Sequence, residues 1–403
     1  MLRQFQEFPS DTAFTSGPAS NTGCHLSKER VYRRFPSEIG ANADAEYTTM
    51  KLVVFGLTLS SSWGNGHATI WRGLCGALSR LGHEVMFFEK DVPYYANHRD
   101  LACPQDYELV LYRCWKDIAE QARTAIGNSD AAIVTSFCPD AQAASDAVLD
   151  CPTSLHVYYD LDSPLTLQLL RENGKVEYVP RYGLGPFDLV LSYAGGRALD
   201  ELKQSLGAGR VAALYGSVDP EIYRRVHASN RYFADVSYLG TYSSDRQASL
   251  DQLFLEPARR TPAKRFLVGG AMYPEDFPWS ENVWFVHHVP PPEHPAFYSS
   301  SKLTVSVTRG PMMELGHCPS GRLFEAAACE TPLISDNWKG LSDFFEPGRE
   351  ILVAKDASDV IEALSSGAED LQRIGAAARE RVLAEHTADH RARQLLENLE
   401  MAA

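Results

Sequence analysis

Pro319-Ser320-Gly321-Arg322-Leu323-Phe324-Glu325-Ala326-Ala327-Ala328-Cys329-Glu330-Thr331-Pro332-Leu333-Ile334-Ser335-Asp336 is the stretch on which the reading of the chain turns. Before it runs Leu303-Thr304-Val305-Ser306-Val307, apolar and β-branched, the mark of a buried strand. Pro319 and Ser320 are typical first-turn residues of a helix, and Leu323, Ala326 and Ala327 then recur at helical spacing. Small side chains from Ala326 to Cys329 let such a helix lie close on a sheet. Thr331-Pro332 ends it, and Leu333-Ile334 opens another short strand. Strand, loop, helix and strand in this order are one repeat of a parallel sheet, with the loop and helix N-terminus at the strands' carboxyl ends. Free backbone N–H groups and a partial positive charge there favour phosphate, which makes Ser320 and Gly321 candidate binding residues. Glu325, one turn further in, is placed to accept from two adjacent hydroxyls, as on a ribose. The competing reading is a solvated or ion-paired helix residue.

The surrounding chain of 403 residues is too long for one typical core, so two domains are expected. A net charge of −14 argues against nucleic acids and anionic membranes as general partners, while leaving room for a local basic pocket that takes a diphosphate. The eight cysteines show no CxxC pair and no zinc-ligand spacing, and several sit in apolar runs, as reduced core cysteines do. With no basic-then-apolar leader and no apolar run of bilayer length, the expectation is a cytoplasmic protein without an integral membrane segment. Residues 1–49 are polar and aperiodic and read as a disordered or loosely attached extension. Met50, just before the first convincing strand, reads as an alternative start.

From Lys51 the first half alternates strand and helix signals. Lys51–Leu57 is a buried-strand pattern, followed by a Gly-rich loop with Gly64 and Gly66, a helix from about Ala68 to Leu81, and a strand at 84–89. The loop is neither GxGxxG nor a Walker sequence, so neither a dinucleotide nor a P-loop site is supported. His67 opens the helix and is a candidate general base, or else a cap for the loop. Asp160-Leu161-Asp162 follows the strand at 154–159. As a D-x-D triplet it is a weak metal signal; Asp160, just past a strand's carboxyl end, is instead the candidate base or sugar ligand, and Asp162-Ser163-Pro164 starts a helix. Gly195-Gly196 allows close approach of a ligand, or simply tight packing. The second half restarts with a strand at 236–240. Arg246 follows as a candidate diphosphate clamp, with surface exposure as the alternative, and Arg309 stands at the end of the strand before the opening stretch. His287 and His288 are adjacent, do not share a face of a strand, and are not read as a metal site.

Taken as a set, "SWGNGHAT", "DVPYYANHRDL", "YYDLDSP", "YAGGRAL", "LYGSVDPE", "YLGTYSSDRQ", "VPPPEHPAFY" and "PSGRLFEAAACETPLISDNWKGL" resemble the CgeB-type (spore-maturation-protein-like) glycosyltransferases of the GT-B fold, over residues 51 to about 355. The resemblance implies an α/β protein of two Rossmann-like domains facing across a cleft. The first, acceptor-side domain would span 50–216, the second, nucleotide-sugar-binding domain 217–385, and a C-terminal helix at 386–403 would pack back on the first. It implies that the loop with Gly64 and Gly66 lines the cleft, that backbone groups at Val289 meet the donor's base, and that Glu325 holds the donor's ribose. Many retaining relatives carry a further Glu eight positions before Glu325; here that position is His317.

The expected activity is transfer of a sugar from a nucleoside-diphosphate sugar to a glycan, small molecule or protein acceptor, without a metal or other cofactor. His67 and Asp160 are the candidate catalytic residues, and Arg246, Val289, Arg309, Ser320, Gly321 and Glu325 the candidate donor-binding ones. Gly64, Gly66, Gly195 and Gly196 would shape the acceptor side. Two other readings stand beside it: a non-catalytic sugar-nucleotide-binding or surface-layer or spore-assembly protein, and a sugar-nucleotide epimerase.

Overall fold

A computed structural model describes residues 49–101 and 103–403; the extension expected at the N-terminus lies, but for Thr49, outside the described residues. The chain builds two sheets in which every pairing is parallel. The first holds β1 (Lys51–Gly56), β2 (Glu84–Lys90), β3 (Glu108–Tyr112), β4 (Ala131–Thr135), β5 (Leu155–Asp160), β6 (Leu189–Ser192) and β7 (Val211–Ala213). Its order is β3-β2-β1-β4-β5-β6-β7. The second holds β8 (Ala234–Leu239), β9 (Phe266–Gly270), β10 (Val283–His287), β11 (Ser301–Ser306), β12 (Leu333–Ser335) and β13 (Leu352–Val353), in the order β10-β9-β8-β11-β12-β13.

Both orders reverse direction once, between β1 and β4 and between β8 and β11. At such a switch point the connections leave to opposite sides and open a crevice at the strands' carboxyl ends, where ligands of open parallel sheets bind. The central strands read as unbroken apolar runs because helices cover both faces: β4 and β9 have no exposed residue.

Several elements differ from the sequence expectation. β3 was not anticipated; it is the edge strand, and only Tyr112 of it is buried. The quoted helix begins at Gly321 with Ser320 as its N-cap, so Pro319 lies in the loop. A short helix, Gly310–Leu315, follows Arg309 where none was read.

The chain passes between the two sheets twice, side by side. Val218 on the way out and Thr387 on the way back form a parallel bridge, with hydrogen bonds from Val218 N to the His386 carbonyl (3.1 Å) and from Ala388 N to the Val218 carbonyl (2.8 Å). Arg391 braces this crossing by donating to the carbonyls of Gly216 and Glu385 and to His386 Nδ1. Burial pushes the His386 imidazole down to about 3, helped by the charges of Arg391 and Arg381, so it accepts as a neutral ring. The last helix, Ala388–Ala402, sets Ala388, Ala392, Leu395, Leu396 and Leu399 in one core with Trp71 and Leu74 of the first sheet's layer. A Cβ on Gly73 would meet the Ala388 methyl at 3.6 Å, so the two helices pack closely.

Candidate functional site

The loop after β1 is held by two acids. Glu89, at the end of β2 and without exposed surface, accepts from the amides of Leu59 (2.7 Å) and Ser60 (2.8 Å) and from the hydroxyls of Thr58 and Ser60. In a dinucleotide-binding domain an acid here would face a ribose; in this chain its oxygens are used by the protein's own loop. Asp100 accepts from the Ser62 amide and hydroxyl and takes a two-nitrogen contact from Arg72. Gly64 turns at φ +66°, and a Cβ there would crowd the Tyr94 hydroxyl at 2.9 Å, whereas Gly66 faces open space.

His67 leaves this loop as the first residue of the helix His67–Arg80, and its Nε2 lies 2.8 Å from Asp162 Oδ2. Against a carboxylate that only accepts, Nε2 carries the proton, and Nδ1 has no partner among the described residues. Burial works against the Asp162 charge, but the hydrogen bond and charge of His67 and the charge of Arg309 hold its carboxyl below the ordinary range. Asp162 exposes about a fifth of its side chain and is the accessible end of the pair.

Asp160 is placed otherwise than a catalytic base needs. It has no exposed surface, and Oδ1 accepts from the Asp162 amide and the Thr166 hydroxyl. Burial pushes its carboxyl up to about 7, with the Asp162 charge acting the same way against those hydrogen bonds. Asp160 supports the turn from inside, and Asp162 faces outward. The D-x-D triplet therefore does not present both acids to one point. Among the described residues no group of three or more His, Cys, Asp or Glu is arranged to hold a metal ion.

In the second domain the helix Gly321–Ala328 leaves the amides of Gly321 and Arg322 unpaired among the described residues, while Leu323 N donates to the Ser320 carbonyl at 3.0 Å. A Cβ on Gly321 would lie 3.6 Å from the hydroxyl of Tyr193, which follows β6 of the first sheet. Arg322, absent from the sequence expectation, is the second residue of this helix. Among the described residues it makes no hydrogen bond or ion pair; Tyr238, Tyr298, Tyr273 and Glu325 surround it and keep it charged against the cost of its burial. Glu325, 9% exposed, accepts from the hydroxyls of Tyr223 and Tyr298, each at 3.3 Å. It is neither solvated nor ion-paired to a Lys or Arg; His294 Nδ1 approaches to 3.7 Å.

Arg246 follows β8, donates to the Tyr238 hydroxyl at 3.1 Å and keeps a buried Nε without a partner, so both guanidinium groups border the same tyrosines. Arg309 instead pairs with Asp245 at 2.8 Å, while its charge reaches Asp162 across the cleft. Val289 is buried and its carbonyl accepts from His294 Nε2 at 3.0 Å, while its amide has no acceptor among the described residues.

Gly195 and Gly196 resolve toward packing. A Cβ on Gly195 would overlap the Tyr215 hydroxyl, and one on Gly196, at φ +56°, would lie 2.6 Å from the His317 ring. Gly195 N also donates to the His317 carbonyl at 2.9 Å, joining the two halves. His317 itself pairs with Asp343 at 2.9 Å in a left-handed backbone conformation, φ +46°. Phe137, Met272 and His288, also at positive φ, each lie one or two residues past a strand's carboxyl end, so strained backbone gathers at the cleft rim.

Two parallel sheets, each with a switch point at its strands' carboxyl ends, are the architecture of the GT-B fold. Residues 246–397 match the family model described as "Glycosyl transferase-like". Among solved structures, sucrose-phosphate synthase from Thermosynechococcus elongatus is 14% identical, with a TM-score of 0.62 over 88% of this chain and 100% of that one. Anabaena Alr3699/HepE in complex with UDP-glucose is 13% identical, with a TM-score of 0.62 over 87% and 100%. An alpha-glucosyltransferase in complex with UDP-glucose and DNA is 14% identical, with a TM-score of 0.65 over 88% and 100%. At these identities the likeness is one of fold. That one neighbour holds DNA means the fold does not remove nucleic acid from the acceptor classes. No curated protein sequence matches the chain. No helix among the described residues is long and apolar enough to cross a membrane.

Proposed function

We propose that the protein transfers a sugar from a nucleoside-diphosphate sugar to an acceptor hydroxyl, as a member of the CgeB-type branch. The observation that carries this is Arg322: a cation at a helix N-terminus whose donors have no partner among the described residues, three residues before a carboxylate flanked by tyrosine hydroxyls. The diphosphate would lie across Arg322, Arg246 and the first amides of the helix Gly321–Ala328, including Gly321 and the Ser320 turn. Glu325 would accept from the ribose hydroxyls, and the Val289 amide would meet the base.

Bond cleavage leaves charge on the departing diphosphate. Two guanidinium groups and helix amides stabilise that charge without reorganising, and in this proposal they take the role a metal has in other transferases. On the facing side Asp162 would hold the acceptor hydroxyl, and His67 would orient Asp162 and keep it charged. This replaces Asp160 with Asp162 as the group that touches substrate. The net charge of −14 favours a glycan, small molecule or protein acceptor over nucleic acid, and the free thiols of the seven described cysteines fit a reducing, cytoplasmic setting.

The test is a calorimetric titration with UDP, GDP, dTDP and their sugars, followed by product analysis with the donor that binds. Asp162→Asn is expected to retain donor affinity while lowering turnover by about 10²–10⁴-fold, the usual weight of proton-transfer assistance. Donor hydrolysis without acceptor fits a transferase, isomerised donor an epimerase, and binding without turnover a binding protein. No binding by any nucleotide sinks the donor-site reading.

A further inference from the structure

His294 stands between the two parts of the donor pocket, hydrogen-bonded to Val289 on one side and facing Glu325 on the other. Its Nε2 lies 3.0 Å from the Val289 carbonyl, which can only accept, so Nε2 carries a hydrogen and Nδ1 of the neutral ring is a lone pair. Facing that lone pair is the Tyr223 hydroxyl at 3.2 Å, and the same hydroxyl lies 3.3 Å from Glu325 Oε1. Tyr223 has one proton for these two acceptors. Tyr298 supplies the other carboxylate oxygen, Oε2, at 3.3 Å, and His294 Nδ1 is 3.7 Å from that oxygen.

We infer that His294 is a positioning residue that sets how many lone pairs Glu325 offers to the ribose, and so makes donor affinity dependent on pH. This rests on the reading of Glu325 as the ribose carboxylate. With His294 neutral, the Tyr223 proton can turn to Nδ1, and Glu325 Oε1 is open to a ribose hydroxyl. Once Nδ1 is protonated it no longer accepts. The Tyr223 proton then has only Glu325 to bond, and the new N–H also points toward that carboxylate. Both changes occupy lone pairs the ribose would use, so protonation weakens the donor.

The groups facing the ring come from every element around it: Glu325, Arg322 and Tyr298, Tyr223 from the crossing segment, His288 from the turn after β10, and Asp100 from the first domain. Burial holds the imidazole below its ordinary value and Arg322 adds to this, while Glu325, the Val289 carbonyl and Asp100 oppose it. The neutral form therefore prevails at pH 7, and the transition falls below about 6.5.

The experiment is titration of the full chain with UDP-glucose, whose diphosphate diester does not change charge in this range, from pH 7.5 to 5. Wild type is expected to lose affinity as the pH falls toward the His294 transition, by about tenfold once the ring is fully protonated, the weight of one hydrogen bond to a charged group. His294→Gln keeps an N–H for the Val289 carbonyl but cannot titrate, and its affinity is expected to be flat over the same range. Tyr223→Phe, which removes the contested proton, is expected to blunt the acid loss, and circular dichroism checks that both variants fold. A flat wild-type profile, or an unchanged slope in His294→Gln, overturns the inference while leaving the donor site intact. Failure of wild type to bind UDP-glucose and the other nucleotide sugars at pH 7.5 overturns the donor-site reading itself.

Discussion

Replacing Arg322 with alanine separates the cost to binding from the cost to folding. The side chain has no hydrogen bond or ion pair among the described residues, and its neighbours are Tyr238, Tyr298, Tyr273 and Glu325, three residues along the same helix. An interaction between a guanidinium and a phosphate contributes about 1.5–3 kcal/mol net, as charged hydrogen bonds do. Its loss should therefore weaken UDP-glucose by about 10–150-fold. Folding should respond differently. No hydrogen-bonded partner is orphaned by the truncation, and relief of the guanidinium's burial cost offsets the lost packing of its stem and the lost attraction to Glu325. The expected stability change is within about 0.5 kcal/mol of wild type. Calorimetric titration gives the first quantity and urea denaturation the second. Arg322→Lys keeps the charge without the paired donors and should fall between. Two results refute the reasoning: donor affinity within about twofold of wild type, or a binding loss accompanied by several kcal/mol of lost stability. The second would make Arg322 a structural residue.

Glu89→Ala leaves two amides and the Ser60 hydroxyl of the loop after β1 without an acceptor, while the Thr58 hydroxyl keeps the Ser61 carbonyl, and should cost about 3–5 kcal/mol by urea denaturation. A loss under about 1 kcal/mol would mean that water replaces the carboxylate freely. Gly196→Ala places a methyl against the His317 ring at a backbone angle of φ +56° and should destabilise by about 1–3 kcal/mol in the same assay, whereas Gly66→Ala, which faces open space, should not. Asp160 gives a pH test with a definite sign. Its carboxyl is raised to about 7 in the folded chain against about 3.9 unfolded, so the folded state holds the extra proton and Asp160's contribution to stability declines as pH rises from 4 to 7. Asp160→Asn abolishes that slope, and the variant should gain on wild type across this window, by up to about 4 kcal/mol at its upper end. A constant difference between the two proteins would place the Asp160 pKa near its ordinary value.

The fold was readable because buried parallel strands announce themselves as apolar runs. β1 and β8 are buried along nearly their whole length, and each was found by composition alone. β3 was passed over because an edge strand lacks one neighbour: its Glu108 and Leu111 are exposed, and it follows a polar loop. Glu325 was legible as a carboxylate one turn inside a helix. Which of Asp160 and Asp162 meets the cleft was not. Alternation along a strand assigns faces only while the strand lasts, and beyond its last residue the turn decides. Here the Asp162 amide donates back to Asp160 Oδ1, which draws Asp160 under the turn and sends Asp162 out to His67. The same limit applied to Gly195 and Gly196. A glycine pair states that something comes close, but the side chain against Gly196, His317, lies more than a hundred residues away in the chain.

What no local pattern could carry is how the two halves share their parts. Leu315 and Cys318, which lie between strands of the second sheet, are buried in the core of the first, and the last helix returns to that core. Trp63, on the loop after β1, stacks on His98 at 4.0 Å and meets His287 and His288 of the second half at 5.3 and 4.5 Å. Each contact joins segments that periodicity treats as unrelated, yet each lies beside a candidate site residue: Cys318 near Asp162, His317 against Gly196, His288 beside Val289. On the proposed reading, with donor and acceptor approaching from opposite domains, the same contacts would also fix the line between Arg322 and Asp162. Substitutions at this seam should therefore alter turnover more than donor affinity, because the proposed donor contacts all belong to one domain while transfer would depend on both.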